Sequence, residues 1–387
     1  MTQAKQSAPD IVIIGSGMAG FTTVREIRKL DKQVPITLIT REPGYSYSKP
    51  MLSTALASNK NAEQLISMNA QSMAEQLAIN ILGNTEVHEI DSKDQLITTS
   101  KGPVSYSKLV LCLGADQIRL PLQGNAIDST ISVNDLEDYA KFRQAIAGKK
   151  RIAILGAGLI GCEFANDLAI ASYEVDVIDL APQILGRLLP SEASQVLQDK
   201  LGEAGIRWHL GTTVRSIDKT ADGIAITLEN SEVIVCDVFL SAVGLKPRLE
   251  LAQKAGIKTG HGIQVDRKLE TNIQNIFSIG DCAEVDGLVL PYIMPIMQAA
   301  RALAPTLLGQ ETLLTYPAMP VMVKTPALPT IVSPPPNGAN GQWAVSSADG
   351  GVQALFKSPD GKLLGFALLG PATAQRAALT KELPALL

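Results

Sequence analysis

Cysteine and histidine are scarce in this 387-residue sequence, with four of the first and three of the second. No two of Cys112, Cys162, Cys236 and Cys282 form a C-x-x-C, which excludes that dithiol motif and the common zinc spacings. His88, His209 and His261 lack metal-ligand spacing as well, so no metal site is assigned. Cys112 in "LVLCLGA" and Cys236 in "VIVCDVF" sit in apolar runs, where packed thiols are expected. Basic charge is not in excess. Lys and Arg number 34 against 38 Asp and Glu, a net charge of −4, which argues against a nucleic-acid partner. No uninterrupted apolar run reaches membrane-spanning length. The nearest, "LVLPYIMPIMQAARALAPTLLG", holds three prolines and Arg301 and reads as a loop followed by a buried helix. The opening "MTQAKQSAPD" is polar and carries no signal-peptide pattern, so a cytoplasmic location is expected. What remains, 46% hydrophobic and 19% charged residues, is the balance of a globular chain of two or three domains.

Residues 10–42 contain an apolar run, "IVII", then "GSGMAG", an amphipathic stretch and a second apolar run, "ITLIT". The spacing predicts a strand, a turn, a helix and a strand. Gly15 suits the tight turn, Gly17 the close approach of a pyrophosphate and Gly20 the packing of helix on strand, with Ala19 inside the same loop. Glu42, just past the second run, is placed to accept hydrogen bonds from an adenosine ribose. The pattern recurs over 151–180. Gly156, Gly158 and Gly161 follow "IAIL", and "VDVID" ends on Asp179, which is placed to favour NADH by repelling a 2′-phosphate. Two complete fingerprints imply two dinucleotide sites in an α/β chain with two Rossmann-like three-layer domains.

This order, with a nicotinamide fold inserted into a flavin fold, resembles the pyridine nucleotide-disulfide reductase type of flavoprotein. The resemblance implies FAD in the first site and NADH as co-substrate in the second. It makes "KLVLCLGA" the exit from the flavin domain and "DVFLSAVGLKPRLEL" the return. It gives "TNIQNIFSIGDCAEVDG" as the second flavin motif, with Gly280 and Asp281 at the ribitol chain. A helix beginning near Pro295 is then expected to aim its positive end at the flavin pyrimidine. The expected domains are 1–117 with 240–312 for FAD, 118–239 for NAD(H), and 313–387 as a small α+β cap over the flavin. Asp-Gly turns in "SADGGVQ" and "SPDGKLLG" predict hairpins there, before a closing helix through "AQRAALTKEL". Whether the chain is a monomer or a homodimer stays open.

Many flavoproteins of this type carry their redox cysteines after the first unit. Here that region reads "YSYSKPMLSTALASNK", so electrons are expected to leave the flavin directly. "SYSKPMLS", "VKTPALPTIVSPPP" and "KELPALL" resemble the rubredoxin–NAD(+) reductases of alkane-oxidising bacteria; ferredoxin reductases of ring-hydroxylating oxygenases commonly have Arg-Pro in place of Lys49-Pro50. The resemblance implies that Lys49 and Lys324 reach the isoalloxazine. It implies that Glu163 lies near the nicotinamide, although a carboxylate serving only the helix dipole reads equally well. The expected activity carries electrons from NADH through FAD to rubredoxin, feeding an alkane hydroxylase. An NADH–ferredoxin reductase and a flavorubredoxin reductase are the alternatives. A regulatory flavoprotein and an oxygen-reducing oxidase are further rivals. Because the chain is itself acidic, a local basic rim of Lys49, Lys324 and Arg301, beside the rigid "PALPTIVSPPP", is expected to receive an acidic rubredoxin in a transient complex whose KM rises with salt, the alternative being that the two lysines turn toward the flavin.

Overall fold

The structure, a computed structural model, describes residues 11–387; the polar opening stretch lies outside the described residues. Strand Ile11–Ile14 is the centre of a five-stranded parallel sheet. Its order is Ile276–Ser278, Lys108–Leu111, Ile11–Ile14, Ile36–Ile39 and Asn80–Leu82. The strands read as continuous apolar runs because both faces are covered. Helix Met18–Leu30 packs along helix Ile293–Leu307 on one face. A three-stranded meander over Val87–Asp91, Leu96–Thr99 and Gly102–Ser105 accompanies this unit.

The second fingerprint builds a second parallel sheet, in the order Thr130–Ile131, Val238–Ser241, Arg151–Leu155, Glu174–Asp179 and Ile206–Leu210. Ser241 pairs with Leu155, so this sheet continues two residues past the sequence-derived limit at 239. The two crossings between the units then pair with each other. Ala115–Gln117 and Leu245–Pro247 form an antiparallel ribbon.

The C-terminal unit is an antiparallel sheet ordered Val321–Val323, Thr330–Ser333, Leu363–Leu369, Gly351–Lys357 and Gln342–Ala348. Both expected hairpins form. Asp349 and Gly350 each take positive φ, +50° and +74°, as a two-residue hairpin turn requires. The closing helix is Arg376–Glu382.

The three units share core. One hydrophobic cluster joins Leu52 and Leu56 after the first unit, Phe164, Ala165 and Leu168 of helix Leu159–Ile170, and Leu328, Val332 and Val352 of the C-terminal sheet. No helix among the described residues is long and apolar enough to cross a membrane.

Candidate active site

A single cleft of about 2480 Å³ runs through the molecule and is lined by both glycine loops. Pockets for one small molecule span about 300–1,000 Å³, so this cleft has room for two dinucleotides. Gly15, Gly17, Ala19 and Glu42 line it from the first fold, and Gly156, Gly158 and Asp179 from the second. Lys49, Pro50, Ser53, Glu163, Asp281 and Lys324 line it too.

The glycines divide by task. Gly15 has φ +114°, and a Cβ there would lie 2.2 Å from the Cys112 carbonyl oxygen. A Cβ on Gly20 would lie 1.9 Å from the Gly15 oxygen, and the same 1.9 Å separates Gly161 from Gly156. Gly20 and Gly161 therefore serve helix–strand packing and do not face the cleft. Gly17 and Gly158 have no atom within 4 Å of an added Cβ and open onto it.

Glu42 and Asp281 turn carboxylates into the cleft. Burial pushes both above the usual carboxylate range, with Lys49 opposing the shift at each. Neither carboxylate accepts a hydrogen bond from a described residue, and sugar hydroxyls of a dinucleotide would supply the missing donors. Gly280, at φ +90°, lies behind, where a Cβ would come within 2.8 Å of the Ala19 Cβ. Helix Ile293–Leu307 begins at the cleft with no side-chain cap and no acidic residue in its first turn. Its orphan amides and positive end are thus free for an anionic edge. Ile293, Met294 and Ile296 line the cleft. Pro295 does not. It is buried beside Ile279, Gly280 and Ala283, so its part is to start the helix, not to line the cofactor's space. The open loop at Gly17, the two unpartnered carboxylates and the uncapped helix together fit a flavin dinucleotide.

Both lysines reach the cleft, each held by the middle domain. Lys49 Nζ donates to Asn134 Oδ1 at 2.7 Å, and Asn134 Nδ2 donates to the Ala115 carbonyl at 2.9 Å. Burial lowers the Lys49 pKa, and Asp281 is the foremost group opposing that shift. Lys324 Nζ lies 2.7 Å from Glu163 Oε2 and 2.8 Å from Ser53 Oγ, and also donates to the Pro50 carbonyl. Ser53 donates to the same Glu163 oxygen at 2.6 Å, and the Lys324 amide donates to Oε1 at 2.9 Å. Glu163 is fully buried. Beyond the two roles that the sequence left open for it, it is the ion-pair partner of a lysine from the C-terminal unit.

Of the two placements expected for the lysines, at a basic rim or turned inward, these contacts favour the inward one. Lys49 and Lys324 are committed inside the cleft, and Arg301, although exposed, does not line it. Half-exposed apolar side chains stand on its wall instead: Ile293, Met294 and Met322 at 43%, 45% and 56%.

At the second loop, Asp179 accepts from the Ala157 amide at 2.5 Å and the Ala181 amide at 2.7 Å. It fixes the glycine loop while lining the cleft. Two cleft groups have no motif to mark them in the sequence. Arg248 pairs with Asp116 at 2.6 Å and donates to the Leu113 carbonyl, and Asn134 holds Lys49. Both depend on chain segments that meet only in the fold. The four cysteines are buried and unpaired. Burial raises every thiol, Cys236 to about 12, so none is poised as a thiolate.

Residues 9–304 match the pyridine nucleotide-disulphide oxidoreductase family, and residues 313–383 match the rubredoxin binding C-terminal domain. The rubredoxin–NAD(+) reductase of Alcanivorax borkumensis is 45% identical over 97% of this chain and 99% of its own. That of Acinetobacter baylyi is 47% identical over 97% and 98%. The crystal structure of the ferredoxin reductase for the CYP199A2 system of Rhodopseudomonas palustris superposes with a TM-score of 0.87 at 26% identity, covering 97% of this chain and 95% of that one. The two glycine loops, the flavin-type carboxylates and the near-complete overlap agree, and the chain belongs to the pyridine nucleotide-disulphide oxidoreductase family.

Proposed function

We propose that the chain is an NADH-dependent reductase that delivers electrons through FAD to rubredoxin. One observation carries the reading. The unit matching a rubredoxin-binding domain sends its own Lys324 into the dinucleotide cleft, onto Glu163. The part of the chain that meets the acceptor is therefore wired to the part that meets the cofactors. When bound, FAD accepts two electrons together from NADH and releases them one at a time. The residues supply binding, orientation and charge. Glu42 and Asp281 hold sugar hydroxyls, and the loop at Gly17 admits the pyrophosphate. Lys49 and the start of helix Ile293–Leu307 would offer positive charge to a reduced flavin, with Lys324 held beside them by Glu163. Asp179 disfavours a 2′-phosphate by like-charge repulsion.

The same flavin chemistry would serve a ferredoxin reductase or a flavorubredoxin reductase. Identities of 45% and 47% to rubredoxin–NAD(+) reductases favour the first reading. An alkane hydroxylase as the consumer of reduced rubredoxin, and a transient complex with rubredoxin, belong to the same proposal. So does a cytoplasmic location, which four unpaired thiols suit. Anaerobic NADH oxidation with purified rubredoxin tests the reading. Turnover dependent on rubredoxin concentration is expected, and no increase over the rate without acceptor would overturn it.

A further inference from the structure

Helix Leu159–Ile170 does more than carry Glu163. Glu163, Asn166 and Asp167 stand at i, i+3 and i+4, on one face. All three are buried, at 0%, 0% and 4% exposure. Asn166 Oδ1 accepts from the Ala327 amide at 3.2 Å, three residues after Lys324. Asp167 accepts from the amides of Leu56 and Ala57 at 2.9 and 3.0 Å, three and four residues after Ser53. Neither Asn166 nor Asp167 lines the cleft. Each instead grips the backbone just beyond a residue that does.

We propose that Asn166 and Asp167 are positioning residues, which with Glu163 make this helix face a template setting Lys324 against Pro50 and Ser53 in the cleft. Two chain segments from different units converge on that lysine, and both are fixed to one rigid element. Asp167 fixes the segment after Ser53, which keeps the Ser53 hydroxyl and the Pro50 carbonyl within reach of the ammonium. Asn166 fixes the loop after Lys324, which aims the side chain. Burying the Asp167 carboxylate is costly, and the two backbone amides it accepts from offset that cost while tying the Leu56–Ala57 backbone to the helix. An apolar residue there would leave the Leu56 and Ala57 amides without their acceptor. The N-terminal end of the helix is the second glycine loop, so the template also registers both segments against the nicotinamide site.

The inference rests on the proposed reductase function but is tested in the NADH half-reaction, where no rubredoxin is present. Full-length FAD-loaded protein is prepared as wild type, Asp167→Ala, Asp167→Asn, Lys324→Met and the double variant Asp167→Ala/Lys324→Met. Flavin content, visible spectrum and stopped-flow reduction by NADH are measured. In Asp167→Ala we expect full flavin content, a shifted visible band and reduction slower by about 10-fold, within the loss of about 100-fold that a misplacement of ~1 Å causes. The Kd for NADH should stay within about 2-fold of wild type, since a group set out of place costs rate more than uniform binding. Asp167→Asn keeps an acceptor oxygen for one amide and should recover part of the rate, and it serves also if the alanine variant does not fold. In the Lys324→Met background, Asp167→Ala should add less than about 2-fold, because residues acting through one group are not additive. Two outcomes would overturn the proposal. One is a lowered melting temperature in either Asp167 variant with an unchanged spectrum and rate. The other is a full multiplication of the two single effects. Absence of rubredoxin turnover in the wild-type protein, with these results intact, would count against the acceptor assignment alone.

Discussion

Gly17 separates cofactor binding from folding more cleanly than any other residue of the first loop. At Gly15 or Gly20 an added methyl meets backbone oxygen at 2.2 or 1.9 Å, whereas at Gly17 it meets nothing within 4 Å. Its φ of −67° is open to any L-residue. Gly17→Val should therefore fold with a melting temperature near that of wild-type apoprotein and yet be pale, because the side chain occupies the approach of the pyrophosphate. Absorbance at the flavin band against protein concentration measures it, and full flavin content would remove Gly17 from the site. The pair Glu163 and Lys324 answers a different question. Removing one partner of a buried ion pair costs about 3–5 kcal/mol, while replacing both can be neutral. Lys324→Met should lose roughly that much in denaturant unfolding, and Lys324→Met/Glu163→Gln should regain most of the loss. Equal losses in the single and double variants would show that the two side chains do not act as a pair. The sequence revealed each of these residues but not their union. Lys49 and Lys324 stood out by resemblance, and Glu163 by its place after the second loop. A contact between residues so far apart in the chain is made by packing, and no spacing rule reports it. Asn134 and Arg248 escaped for the same reason, since an asparagine before a helix and an arginine after a strand have many ordinary uses.

Secondary-structure elements were far more legible. Alternation and turn chemistry placed both C-terminal hairpins, and the glycine fingerprints placed both strand–helix–strand units, because these signals are local. The crossing between the two large units was less legible. The pairing of Ser241 with Leu155 is a property of the sheet and not of "FLSAVG" read alone. An ion network unmarked in the sequence joins strands Glu174–Asp179 and Ile206–Leu210. Asp176 accepts from Arg207 at 2.8 and 2.7 Å and lies 3.0 Å from His209 Nε2, whose Nδ1 is 2.9 Å from Glu232. Desolvation alone would raise Asp176, but the hydrogen bonds from Arg207 and His209 hold it at about 2 instead of 3.8. A carboxyl so held contributes about 2 kcal/mol of stability above pH 4, lost as pH falls through about 2. His209 works in the opposite sense. The hydrogen bond with Asp176, first, and the charge of Glu232 raise its pKa above 6.5. Its contribution is complete below pH 6.5 and is lost as pH rises through the raised value. Urea unfolding of wild type and His209→Asn at pH 5.5 and 8.5 should show the wild-type advantage shrinking at the higher pH. An advantage that grows with pH would mean that His209 is held neutral.

For the whole molecule, a net charge of −4 gives no general attraction to an acidic partner, and the lysines expected to compensate locally are engaged inside the cleft. The half-exposed Ile293, Met294 and Met322 suit an acceptor that docks by apolar contact over a small area, as electron-transfer encounters do. The KM for rubredoxin should then change by less than about 3-fold between low and high ionic strength, since apolar contact is not screened. A steep rise with salt would instead place the missing basic rim somewhere on this face. The shared hydrophobic cluster joins flavin-side, nicotinamide and C-terminal residues in one core. Where the electrons go decides the function. The measurement is anaerobic rapid mixing of NADH-reduced protein with oxidised rubredoxin, beside parallel shots with ferredoxin and with dissolved oxygen, followed at the flavin band. Flavin reoxidation by rubredoxin should be faster than by either alternative and should rise with rubredoxin concentration. Equal rates with all three acceptors, or a ferredoxin rate above that of rubredoxin, would contradict it.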